Sequence, residues 1–157
     1  MESMGQQIEA WLKNDTNPGL VLEPILHEVL ARFNSETGTI HWLDSQSQKL
    51  HLAAQAGLPP QMLEVVRTIP VGKGIAGQVV AGGKPVTMCN LQTDSSGVAR
   101  PGAKQSGVGG ALCVPIRNGE KIVGTLGIGT RREHEYTPTE TRALEEMGRA
   151  LGVHLNW

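Results

Sequence analysis

Apolar positions recur every three or four residues near both ends of the chain, and alternate along its middle. Leu22, Ile25, Leu26, Val29, Leu30 and Phe33 share one helical face, which predicts a helix over 21–33. Pro24 sits near its start, where a first turn tolerates proline. A short helical candidate, Gln6 to Leu12, precedes it and is broken by the turn formers of Asn14 to Gly19. At the other end, Thr137-Pro138-Thr139-Glu140 has the pattern of a capping box with proline at the first helical position. Leu144, Met147, Leu151 and Leu155 then form a stripe down a helix ending near Leu155.

Between these helices the pattern changes. Thr39 to Leu43 reads as a strand, Asp44 to Gln48 as a polar turn, and Leu50 to Ala56 as the return strand. Simple alternation puts Leu50, Leu52, Ala54 and Ala56 on one side. A short helix over Gln61 to Val66, a glycine-rich bend and a second short helix over Ile75 to Ala81 follow. Lys84 to Cys89 reads as a third strand, and 91–107 as a long polar loop. Ala111 to Ile116 and Lys121 to Ile128 form a hairpin around Arg117-Asn118-Gly119-Glu120, in which Asn-Gly is the turn signal. The fold class is α+β. A central antiparallel sheet of five to six strands carries the N- and C-terminal helices on one face, with short helices and a long loop on the other. Residues 1–20 are expected to be a helical extension and 21–157 the domain.

The last two strands carry a contrast in side-chain size. Ala111, Cys113 and Pro115 share a parity, as do Thr125, Gly127 and Gly129. The opposite parity holds Leu112, Val114, Ile116, Leu126 and Ile128, which suits packing against the helices. The small face leaves room for a ligand. The first strand is expected to turn Ile40 and Trp42 toward that face, with Trp42 as an aromatic wall offering one N–H donor. The candidate ligand-binding residues are Trp42, Ile75, Met88, Asn90, Asp94, Ala111, Cys113, Thr125 and Gly127. In the long loop, backbone amides with Arg100 or Lys104, beside Gln105 and Ser106, could hold a small anion or polar metabolite.

Charge and composition narrow the function classes. The chain has 14 Lys plus Arg and 15 Asp plus Glu, with no basic run, which gives no footprint for nucleic acid. No apolar run is long enough to span a membrane, and the first residues lack the pattern of a secretory signal. Two cysteines, Cys89 and Cys113, suit a reducing compartment, so a cytoplasmic location is expected. Neither has histidine at metal-ligand spacing, so no metal and no cofactor are expected. Both read as buried thiols, and His41 and His51 as surface or half-buried strand residues. Gly72-Lys73-Gly74-Ile75-Ala76-Gly77 formally matches a dinucleotide fingerprint but lacks the βαβ context that gives the motif its function.

The order of elements and four short motifs resemble the GAF domain family of small-molecule-sensing modules, with a GAF/PAS-like fold. The motifs are Trp42-Leu43-Asp44 with Leu50 to Pro59, Ile69 to Val79, Leu112-Cys113-Val114-Pro115-Ile116, and Ile122 to Ile128. The resemblance implies a non-catalytic sensor or signalling module. It would act through a homodimer of terminal helices or a signalling partner protein, on an unidentified small molecule or anion. A ligand-free interaction or dimerisation domain is the alternative. A further branch of the family, the free methionine-(R)-sulfoxide reductases, uses thiols that this chain lacks. Ala76 stands where that branch has the cysteine of Gly-Val-Cys-Gly, and Thr130 where another would follow the fifth strand. The branch's substrate-holding carboxylates would fall at Ala111, Gly127 and Gly129.

Overall fold

Two helices pack on one face of a curled antiparallel sheet, and two short helices cover the other. The computed structural model describes residues 18–93 and 107–154. The elements in order are α1 (Pro18–Arg32), β1 (Thr37–Asp44), β2 (Lys49–Ala56), α2 (Met62–Arg67), β3 (Thr68–Pro70), α3 (Gly74–Gly82), β4 (Val86–Met88), β5 (Ala111–Asn118), β6 (Lys121–Gly129) and α4 (Pro138–His154). The six strands lie in the order β3-β2-β1-β6-β5-β4, and every neighbouring pair is antiparallel. None of the described helices is long and apolar enough to cross a membrane.

Both terminal helices arise from their predicted stripes. Leu22, Ile25, Leu26, Val29, Leu30 and Phe33 of α1 and its C-terminal turn are all buried, and meet Leu144, Met147 and Leu151 of α4 in one core. The bulky parity of the hairpin, Leu112, Val114, Ile116, Leu126 and Ile128, completes that core. The capping box forms reciprocally. The Thr137 amide donates to Glu140 Oε1 at 2.9 Å, and the Glu140 amide donates to Thr137 Oγ1 at 3.1 Å. Helix α1 begins at Pro18, three residues before the expected start at 21. Gln6 to Leu12, Leu155 and Trp157 lie outside the described residues.

The structure departs from the sequence pattern at three places. In β1 the faces are reversed. Ile40 stands opposite Leu126 in the helix-side core, whereas Thr37, Thr39 and His41 pair with Gly129, Gly127 and Thr125. Cross-strand partners share a face, and a slip of one residue inverts the whole strand. Trp42 therefore leaves the small-residue face. It lies half-buried, tilted on the His51 ring with centroids 4.7 Å apart. In β2, the pairing jumps from Ile40–Ala54 to His41–Leu52, leaving Ala53 bulged. Ala54 and Ala56 face the helices, while Leu50 pairs with Leu43 and Ile69 instead. Leu50, Leu52, Ala54 and Ala56 thus do not form one face. In the β5–β6 hairpin, Asn118 pairs with Lys121, so the loop is Gly119-Glu120. Gly119 alone carries the positive φ, 63°. A second bulge beyond Ile116 absorbs the offset.

Candidate functional site

The small face of the sheet and the two short helices form a partly open cavity of about 160 Å³. Its floor is Thr37, Thr39 and His41 of β1, Gly127 and Gly129 of β6, and Ala111 and Cys113 of β5. Met62, Val65 and Val66 of α2 and Ile69 of β3 form one wall. The start of α3, Gly74 to Ala76, forms another. Leu58, Leu91 and Val108 close the remainder. None of these lining residues is Asp, Glu, Lys or Arg.

Glycine makes the space and also brings up the wall. A Cβ on Gly127 would sit 3.2 Å from Thr39 Oγ1 and 3.7 Å from Cys113 Sγ, so the floor has no side chain at its centre. Gly77 acts differently. A Cβ there would lie 2.5 Å from the Pro70 carbonyl oxygen, so only glycine lets α3 close on β3. The Gly72 amide donates to the Gly77 carbonyl at 2.9 Å, and Gln78 Nε2 donates to the Gly72 carbonyl at 2.8 Å. The glycines that formally match a dinucleotide fingerprint build a bend after a three-residue antiparallel strand. There is no βαβ crossover here.

His41 is the polar group that the sequence pattern placed wrongly. It is 1% exposed. Its Nε2 lies 2.7 Å from the Val66 carbonyl oxygen. A carbonyl only accepts, so Nε2 carries the proton and Nδ1 is an acceptor. This bond serves one of the last carbonyls of α2, which have no partner within the helix. It ties the floor of the cavity to its cover. Nδ1 is buried, with no hydrogen-bond partner among the described residues. Burial holds the imidazole pKa below its ordinary value. The bond to Val66 partly offsets that, and the nearby His51 adds to it. Thr125, the cross-strand neighbour of His41, also buries its Oγ1 without a partner.

The two thiols have different surroundings. Burial pushes the Cys113 thiol up to about 12, and the adjacent Thr125 hydroxyl, which completes no regular hydrogen bond, pulls only weakly the other way. A thiol with so little thiolate is a poor nucleophile. Cys89, expected to be buried, is exposed. Its Sγ lies 3.4 Å from Glu133 Oε1, and that carboxylate holds the thiol above its ordinary range. Cys89 is not on the cavity wall.

Of the residues singled out in the sequence, Ile75, Ala111, Cys113 and Gly127 line the cavity. Met88 is buried beside it, packed with Leu91, Val108, Ala111 and Ile75. Thr125 is buried on the same sheet face. Asn90 turns back on its own chain, its Oδ1 accepting from the Gln92 amide at 3.0 Å. Trp42 is on the other face, for the register reason above. Asp94, Arg100, Lys104, Gln105 and Ser106 lie outside the described residues. Thr37, Thr39, His41, Met62, Val65, Val66 and Ile69 were not singled out. No local signal marks the first three: only their pairing register with Gly129, Gly127 and Thr125 puts them on that face. Among the described residues, no group of three or more His, Cys, Asp or Glu could hold a metal ion.

A six-stranded antiparallel sheet with terminal helices on one face and short helices over a cavity on the other is the architecture of a GAF domain. The chain belongs to the GAF domain family, whose model matches residues 18–156. Solved structures share the fold at low identity. A GAF domain of a phosphoenolpyruvate-protein phosphotransferase from Acinetobacter is 19% identical, with a TM-score of 0.79, covering 96% of this chain and 89% of that one. The free methionine-R-sulfoxide reductase of Neisseria meningitidis, in complex with its substrate, is 20% identical, with a TM-score of 0.79, covering 96% and 85%. The nlh2 GAF domain of A. aeolicus, in an inactive state, is 19% identical, with a TM-score of 0.76, covering 96% and 92%. No curated protein matches by sequence.

Proposed function

We propose that this GAF domain is a non-catalytic receptor for a small molecule held in the cavity beneath α2 and α3. Occupancy would pass to a second copy or a signalling partner through the terminal helices. The observation that carries the proposal is the cavity itself. Ligand sites are concave and mostly apolar, with a few polar groups on the wall. This one holds about 160 Å³ on the face where small residues line up. The reductase structure shares the fold, but the position matched to that branch's cysteine is Ala76, which lies on the cavity wall. Cys113, the cavity's thiol, is held protonated by burial. No group on the described wall is an activated nucleophile.

The test is thermal unfolding against a panel of small compounds, on the wild type and on Cys113→Leu, which fills the cavity. A ligand at a hundred times its Kd stabilises by about 2.7 kcal/mol. Compounds that raise the Tm of the wild type and leave the variant unmoved support the proposal. If nothing moves the wild type, while Cys113→Leu alone is the more stable protein, the space is a packing defect and the proposal fails.

A further inference from the structure

We propose that α2 is an acid-released wall of the cavity: when His41 takes a proton, α2 lifts from the sheet and the site loses its hold on what it binds. This rests on the cavity being a ligand site and adds how that site is regulated. Geometry comes first. Met62, Val65 and Val66 of α2 form one wall, and the Val66 carbonyl accepts from His41 Nε2 at 2.7 Å. His41 belongs to β1, which is paired on both sides, by β2 and β6. The helix is held by less. It has six residues, of which Met62 is buried, and Leu63 is exposed. Its ion pair, Glu64 with Arg67 at 3.5 Å, joins side chains that are 78% and 72% exposed, and such surface pairs add little. A segment with few buried apolar contacts opens more readily than the domain as a whole.

The trigger is the charge that a proton would bring. Nε2 already carries one proton, so the ring gains a second only at Nδ1, and becomes a cation 1% exposed. The described elements packed around it offer no carboxylate to offset that. Across β6 stands the uncharged hydroxyl of Thr125. From β2 comes His51, which opposes a second positive charge, while Lys49 is exposed. Strand β3 and helix α3 carry no charged residue, and the Cys113 thiol of β5 stays protonated. Glu64 and Arg67 of α2 pair with each other on the surface. On its own strand, Asp44 bonds the Ser47 hydroxyl and the Gln46 amide. Burial and His51 both hold the imidazole below its ordinary value. Once α2 lifts, water reaches the ring and the ordinary value returns. Protons then bind the open form in preference to the closed one, and acid shifts the population toward it.

The test is amide hydrogen exchange of the ligand-free protein at pH 7.5 and pH 5.5, expressed as protection factors so that the intrinsic pH dependence of exchange is removed. With one proton taken up near the ordinary histidine value of about 6.5 in the open form, protection over 62–67 is expected to fall by up to about tenfold across that range, and protection in α4 by less. His41→Gln keeps an N–H for the Val66 carbonyl and does not titrate, so its protection over 62–67 is expected to stay level. A wild type in which 62–67 loses no more protection than α4 would overturn the proposal, as would a His41→Gln protein as acid-sensitive as the wild type. If His41→Gln folds poorly, the wild-type comparison of 62–67 with α4 decides. The exchange and the compound panel fail separately. Acid-insensitive exchange over 62–67 overturns the release of α2 with the cavity still a ligand site, and a panel that moves nothing overturns the ligand site whatever α2 does.

Discussion

His41 Nε2 donates to the Val66 carbonyl across 2.7 Å, so the central strand of the sheet holds the last turn of the helix that covers the cavity. Helix α2 is six residues long, and its N-terminal residue Gln61 makes no side-chain capping bond. A helix so short has little stability of its own. Burial of Met62 and this bond both help to hold it in place. His41→Leu keeps the apolar volume and removes the donor. It is expected to cost about 1–2 kcal/mol and to speed amide exchange in 62–67 more than elsewhere. Exchange that rises equally in α4 would show that the bond does not act locally.

The same residue makes stability depend on pH. Burial keeps native His41 neutral at pH values where the unfolded chain, near the ordinary histidine value of 6.5, already takes a proton. The unfolded state therefore binds more protons as pH falls below about 6.5, and native stability falls with it. Above that value the contribution is constant. Urea unfolding between pH 5 and 8, wild type against His41→Leu, is expected to show a shallower acid-side slope in the variant. Equal slopes would remove His41 as the cause.

The thiols are expected to react unequally. Exposed Cys89 should react with Ellman's reagent in the native protein, and Cys113 only on unfolding. The Glu133 carboxylate suppresses the Cys89 thiolate. Glu133→Gln should therefore speed the reaction of Cys89 at pH 8 and leave Cys113 protected. A native protein in which both thiols react at once would contradict the burial of Cys113.

Close backbone approach sets a further expectation. Gly77→Ala would place a Cβ 2.5 Å from the Pro70 carbonyl oxygen, against backbone rather than a movable side chain. A cost of about 1–3 kcal/mol is expected, together with a changed cavity wall at Ile75. Denaturant unfolding measures the first, and the affinity of compounds that bind in the cavity the second. A neutral Gly77→Ala would mean the bend opens freely.

How much of this was legible in the residues depends on how strongly each segment repeats. The α1 stripe, the capping box at Thr137 and Glu140, and the small-against-bulky parity of β5 and β6 are long or redundant signals, and each formed as the pattern predicts. The cavity was harder to read because its floor inverts the usual polarity. Ile40 and Trp42 share a parity that reads as one buried face, and Thr39 and His41 one that reads as solvent. In the fold, the polar set lies beneath α2. Only the pairing register separates the two cases, and register is a long-range property. The bulge at Ala53 and the three-residue β3 leave no trace in local periodicity. Met62, Val65 and Val66 sit in a helix too short to declare a face.

The most direct measurement is a crystal structure of the purified protein soaked with phenol. The account predicts an open space bounded by Met62, Ile75, Cys113 and Gly127, with the ring inside it. A space closed by Met62, Ile75 and Val108, with no room for a ring and no phenol, would contradict it.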